Sequence, residues 1–274
     1  MKLRVPRAPL NDLVEVIWLL PRASSSRPQA AVQRELALPT GTVELVVDLD
    51  DDRIVVFEHH DLDRAAAFEG PVLCGVHTRP FAIDTARPGR TLGVHFKPGG
   101  ASAMLPIAAH ALENVHVELE QVIGAAARQL RDELDCVAHD DELLLSTMEA
   151  YLLRSIRQEL HPAMRNAIKR LDGDWLRPEV KTLVDESGYS HRRFNELFRN
   201  TVGLGAKQFS RVARFQHALR YIEGQSDVDW QDVVAECEFY DQAHLIHEFQ
   251  RHAGLSPTAY VAQRGLRFNH PVVP

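Results

Sequence analysis

The sequence predicts an α+β chain: a β-rich N-terminal domain with a helical extension, then an all-α C-terminal domain of two helix-turn-helix units joined by a long helix. Three observations predict it. Short β-branched runs punctuated by Pro and Gly fill residues 34–98. From Ala101 the apolar period changes from two to about 3.6. One pattern then occurs twice, as GYSHRRFNELFRNTVGLGAKQF at 188–209 and EFYDQAHLIHEFQRHAGLSPTAY at 238–260. Aligned on their turns, Tyr189 matches Phe239, Phe194 matches Leu245, Phe198 matches Phe249, Gly203 matches Gly254 and Phe209 matches Tyr260. Two such units in register are an internal repeat.

The elements follow in order. Leu10, Leu13, Val14, Ile17 and Trp18 fall at helical spacing, so a helix closed by Pro21 is expected in residues 1–22. The stretch 24–29, SSSRPQ, reads as a loop. ELALPTGTVELVVDLDDDRIVVF reads as three strands, with the acidic turn Asp50–Asp52 before the last. Further strands are expected at 71–78, 81–86 and 91–98, and amphipathic helices at 101–109, 119–135 and 141–159. A linker near Glu159–Pro162 divides the chain into a regulatory domain over 1–160 and a helical domain over 161–264, with 265–274 as a tail. Residues 163–172 form the opening helix of the second domain, and 178–188 the first support helix, with Pro178 where a missing N–H costs nothing. Ser190, Asp229 and Asp241 are N-caps, and Gly203 and Gly254 end the reading helices. One long helix, 208–223, connects the two units, and Pro257 opens the last helix.

Composition excludes several classes. With 45% hydrophobic, 25% charged and 7% aromatic residues the chain is ordinary globular protein. No apolar run is long enough to span a bilayer. The N-terminus meets Asp12 and Glu15 early and lacks a small-residue cleavage site, so it does not read as a signal peptide. Cys74, Cys136 and Cys237 are odd in number and widely spaced, which argues against a disulfide framework and for a cytoplasmic protein without membrane contact. The net charge of −7 conceals a gradient. Residues 188–220 carry seven basic groups against Glu196 alone, whereas 221–262 carry eight carboxylates against Arg251. Phosphate contacts depend on the local field, so the first unit suits DNA and the second opposes it.

In a helix-turn-helix the second helix enters the major groove and its N-terminal residues reach base edges. In the first unit Phe194, Leu197 and Phe198 take the core face, leaving His191, Arg192, Asn195, Glu196 and Arg199 for the groove. Arg192 can pair bidentately with guanine, Asn195 with adenine, and Glu196 can accept from cytosine N4. Lys207, Arg211 and Arg214 read as phosphate contacts that set register. In the second unit Leu245, Ile246 and Phe249 are expected inward, with Gln242, Ala243, His244 and His247 toward the groove.

The residues from about 165 to 263 resemble the AraC/XylS family of transcription regulators. The resemblance rests on GYS-x3-F-x3-F, VGLGAKQF, the RVARFQHAL helix, F-x-D-Q-A-H-L-x3-F and GLSPTAY. The segments IWLL, LPTGTVELVVDL, GP-x5-HTRPF and LGVHFKPGGA of residues 1–157 resemble the N-terminal domain of a subset of these regulators. That likeness implies a β-rich sensor domain. Two positions depart from the pattern: Glu196 stands where arginine is frequent, and Glu238 replaces the glycine usual at the second turn, where a left-handed backbone strains any other residue.

Double-stranded DNA is therefore the expected partner. RNA polymerase is a candidate for the acidic surface, and a small-molecule effector and a homodimer are candidates for residues 1–157. His77 and His95, each after Gly-Val in strands read as neighbours, are candidate pocket residues against a purely structural role. Cys74-x2-His77 and Cys136-x2-His139 have ligand-like spacing. Strand alternation, however, places Cys74 and His77 on opposite faces, so no metal and no cofactor are expected. No Gly-rich phosphate loop, HExxH or GxSxG is present, and no catalytic residue or enzyme activity is expected. The competing reading is a small-molecule-binding or protein-interaction protein whose helical domain has lost DNA reading.

Overall fold

β-branched and apolar runs build two antiparallel sheets in the N-terminal half of the chain. The structure, a computed structural model, describes residues 1–21, 34–84, 89–173, 178–225, 227–264 and 269–272. The strands are β1 (Lys2–Arg4), β2 (Val14–Leu20), β3 (Arg34–Ala37), β4 (Glu44–Asp48), β5 (Arg53–Glu58), β6 (Asp61–Glu69), β7 (Val72–Cys74), β8 (Phe81–Asp84), β9 (Thr91–Phe96) and β10 (His116–Glu118). One sheet has the order β1-β2-β9-β4-β7-β10 and the other β3-β8-β5-β6.

Three expectations are corrected here. Residues 1–22 hold no helix over Val14–Leu20: that segment is strand β2, preceded by a short 3-10 turn at Leu10–Asp12. Residues 101–109 are not one amphipathic helix but parts of two 3-10 turns, Gly100–Ala103 and Ala109–Leu112. The strand expected over 71–78 stops at Cys74. The SSSRPQ loop lies outside the described residues, as do the last two residues of the strand expected over 81–86.

The helices are α1 (Leu119–Ile123), α2 (Ala125–Cys136), α3 (Asp141–Ser155), α4 (Pro162–Gly173), α5 (Val180–Ser187), α6 (His191–Val202), α7 (Ala206–Tyr221), α8 (Trp230–Glu236), α9 (Gln242–Ala253) and α10 (Pro257–Gln263). Their ends follow local chemistry. Ser190 accepts from the Arg193 N–H, Asp229 from Gln231 and Asp241 from His244. Gly203 (φ 99°) and Gly254 (φ 68°) are left-handed C-terminal residues, which glycine adopts without strain.

The packing does not respect the boundary read near residue 160. One apolar core runs from Ile17, Leu45 and Val94 of the first sheet through Leu144 and Met148 of α3 to Ile168, Phe194 and Phe209. A second joins Leu36, Leu38 and Ala82 of the other sheet to Phe215, Val233, Leu245, Phe249 and Tyr260. Residues 156–161 are irregular but pinned: the Arg157 and Gln158 N–H groups both donate to Ala103 O, at 2.9 and 3.3 Å, and Leu160 is buried. The tail also returns. Leu36 and Leu38 N–H groups donate to Pro271 and Asn269 carbonyls, so residues 269–272 cover the edge of β3.

Candidate nucleic-acid interface

The reading helix of the first unit, α6, is exposed along the side its core residues leave free. Phe194, Phe198 and Val202 are buried, while His191, Arg192, Arg193, Glu196 and Arg199 are exposed. Asn195 is half-buried, and its amide donates to His191 Nδ1 at 2.8 Å and to the His191 carbonyl at 3.0 Å. These bonds hold both side chains at the N-terminal end of the helix. Glu196 pairs with Arg193 at 3.2 Å, so the acidic side chain that departs from the family pattern is partly neutralised from within. Arg193, beside Arg192, is a further exposed cation of this helix that the periodicity argument did not single out.

The C-terminal part of α6 is docked on the β-domain. Glu113 accepts from Arg199 at 3.4 Å and from Gln208 at 3.1 Å. A Cβ at Gly203 would stand 2.9 Å from a Val76 methyl, so only glycine allows that approach. Of the predicted phosphate contacts, Lys207 is exposed. Arg211, read as a phosphate contact, makes a two-point pair with Glu248, whose side chain is 1% exposed. Arg214 is half-buried, with its guanidinium 5.9 Å from the Phe239 ring centroid.

In the second unit Gln242, Ala243 and His247 are exposed on α9, whereas His244 is half-buried and accepts from the Tyr240 N–H at 3.2 Å. Ile246, expected inward, is 42% exposed, because Leu245, Glu248, Phe249 and His252 already fill the inner face. Burying a carboxylate there is tolerated through its partners. Burial alone would raise the Glu248 carboxyl, but the His252 imidazole at 3.4 Å and the Arg211 guanidinium hold it well below the usual carboxylate range. His252 also bonds across the domain boundary, Nδ1 lying 2.8 Å from Thr78 O. Glu238, at the turn before α9, adopts φ 57°, the left-handed conformation anticipated from the missing glycine.

The candidate pocket histidines separate. β7 and β9 are not neighbours, because β4 lies between them. His95 bonds Glu44 at 2.8 Å and Thr42 at 3.1 Å, which fits a structural role. Neither histidine lines the cavity of about 540 Å³ between the outer face of the first sheet and the helical extension. That cavity is walled by Leu45, Leu73, Phe96, Leu119 and Leu152, with Arg154 and Arg157 among its polar lining.

Residues 183–263 match a family described as a helix-turn-helix domain, and residues 3–118 match one described as a domain of unknown function, DUF6597. No curated protein matches the sequence. Among solved structures, an apo point variant of ToxT from Vibrio cholerae is 8% identical, with a TM-score of 0.47 covering 94% of this chain and 99% of that one. ToxT of Vibrio cholerae bound to an unsaturated fatty acid is 9% identical, with a TM-score of 0.42 covering 89% and 93%. The paired helix-turn-helix units and the exposed reading helix define a DNA-binding transcription regulator. Its DNA-binding domain is of the AraC type, set behind a β-rich N-terminal domain. No helix among the described residues is long and apolar enough to cross a membrane.

Proposed function

We propose that the chain regulates transcription by reading DNA chiefly through its first helix-turn-helix unit. His191, Arg192, Asn195 and Glu196 would face bases, and Lys207 would face phosphate. The observation that carries this reading is the N-terminal half of α6. It projects exposed, hydrogen-bonding side chains from a segment of net positive charge, while its other face is fully packed. The second unit contributes less. Gln242, Ala243 and His247 are exposed, but the carboxylates of 221–262 repel phosphate, and exposed Tyr240 (90%) gives that face the character of a protein contact. RNA polymerase is the partner this surface would suit.

The cavity under the helical extension is the site we assign to an effector. Its volume of about 540 Å³ lies within the range of small-molecule pockets, and its apolar walls with Arg154 and Arg157 fit an amphipathic anion. The deciding experiment is fluorescence anisotropy of the full chain on its own upstream DNA and on a scrambled duplex, across a salt series. Preference for the upstream duplex, with affinity falling as salt rises, supports a sequence-reading regulator. Absence of binding to either duplex at low salt, with or without extracted small molecules, would support the alternative that reading has been lost.

A further inference from the structure

A row of polar side chains crosses one face of the first sheet. Glu44 is the direct cross-strand partner of both His95 and Cys74, and Cys74 is the partner of His116. Direct partners share a face, so the row runs from β9 through β4 and β7 to β10. The opposite face, with Leu45, Leu73 and Val94, belongs to the apolar core.

His77 joins this row because the strand ends at Cys74. Beyond it the chain crosses the segment that leads into β10, and the two are laced by backbone bonds. Gly75 N–H donates to Val115 O at 3.0 Å, Asn114 N–H to Val76 O at 3.0 Å, and Thr78 N–H to the Asn114 side chain at 2.8 Å. The crossing is so close that a Cβ at Gly75 would lie 1.8 Å from Leu112 O. Alternation therefore no longer applies at His77, and the side-chain donor atoms of Cys74, His77 and His116 all lie within 4.8 Å of one another.

We propose that Cys74, His77 and His116 form a binding site for a divalent transition-metal ion, zinc by preference. One sulfur and two imidazole nitrogens are donors that suit zinc and disfavour magnesium or calcium. Zinc–ligand bonds of about 2.0–2.3 Å in a tetrahedron put ligand atoms roughly 3.5 Å apart, so closure from 4.8 Å needs only side-chain adjustment. Two further observations point to a ligand. Nε2 of His77 and Nε2 of His116 are buried without a hydrogen-bond partner among the described residues, an arrangement that is costly unless something is bound. The His77 ring is oriented by a bond to the Val115 carbonyl, the outer-shell contact that metal-bound histidines usually make.

Phe81 packs 4.7 Å from the His77 ring and 4.5 Å from that of His116, an apolar wall that keeps water from competing. Cys74 binds as the thiolate, so its proton is released to solvent as the metal–sulfur bond forms. Glu44, the cross-strand partner of Cys74, is held by His95 at 2.8 Å and stands beside the site as a neighbouring negative charge.

The test is titration of chelator-treated full chain with Co2+, followed by visible and near-ultraviolet absorption and by competition with Zn2+. One equivalent should bind with thiolate-to-cobalt charge transfer and ligand-field bands of a four-coordinate site, and Zn2+ should displace it. Cys74→Ser should abolish the charge-transfer band, and His116→Ala should weaken binding by more than the roughly 10–100-fold lost when a residue that only supports a ligand is changed. Cys136→Ser, altering the exposed cysteine, should leave the spectrum intact. In the unmutated chain, Zn2+ should also slow alkylation of Cys74, a readout that needs no variant to fold. A Co2+ spectrum without sulfur charge transfer, or Cys74 alkylation unaffected by Zn2+, would overturn the proposal.

Discussion

Arg192 and Lys207 are both exposed cations at the first reading unit, yet their expected contributions differ in kind. Arg192 sits one residue inside α6, where a guanidinium can make two parallel bonds to one guanine. Lys207 lies at the start of α7 and offers a point charge to the backbone. Arg192→Ala should therefore cost about 1–3 kcal/mol of discrimination between specific and scrambled duplexes. Lys207→Ala should weaken both duplexes alike and reduce the salt slope by about one. Anisotropy with both DNAs at several salt concentrations separates the two. Equal losses on both duplexes for Arg192→Ala would remove it from the base-reading set.

Arg211 shows how one element fastens another. It projects from α7 onto a carboxylate of α9, so its removal strands a buried charge more than it removes a phosphate contact. Arg211→Ala should lower stability by roughly 3–5 kcal/mol, the usual cost of breaking a buried pair from one side. Lys207→Ala should stay within about 0.5 kcal/mol of the parent, as exposed positions do. Urea midpoints decide it, and a stable Arg211→Ala chain with weakened binding to every duplex would restore the phosphate role. The pair also sets an acid limit. A carboxyl held low in the folded state stabilises fully above its unfolded value of about 4.3, and that contribution fades as pH falls below it. Glu248→Gln should therefore flatten the loss of stability below about pH 4.3.

The helical half was legible in the sequence because caps are local: Ser190, Asp229, Asp241, Gly203 and Gly254 act within a few residues of themselves. β2 was not, because a bulge between Val14 and Val16 shifts the alternation. Val14 and Ile17 then share the buried face three residues apart, a spacing that imitates a helix. β6 escaped notice because DLDRAAAFE is an exposed edge strand without β-branched residues. Which residues of α6 are exposed and which are buried could be read from helical periodicity. The Cys74–His77–His116 cluster could not, since only the crossing of two loops and the pairing of β7 with β10 bring it together.

At the scale of the whole molecule, the two helix-turn-helix units are seated on different parts of the β-domain and both touch one short segment of it. Val76 abuts Gly203 at the end of α6, and the Thr78 carbonyl bonds His252 near the end of α9. The Gln216 amide, on the connecting helix between them, donates to Pro39 O at 2.7 Å. Each apolar core contains residues from both halves of the sequence, so neither half can unfold without exposing the other's buried surface. Domains joined only by a linker would melt separately, whereas shared cores impose a common transition. Calorimetry of the full chain should accordingly show one endotherm, with near-ultraviolet and far-ultraviolet circular dichroism midpoints coinciding. Residues 161–264 expressed alone should melt at lower temperature and bind hydrophobic dye, because Phe215, Leu219 and Tyr260 would lose Leu36, Leu38 and Ala82 from their cluster. Two resolved transitions in the full chain, one matching the isolated fragment, would mean that the β-domain and the reading units are coupled only loosely, and that the segment around His77 does not position both.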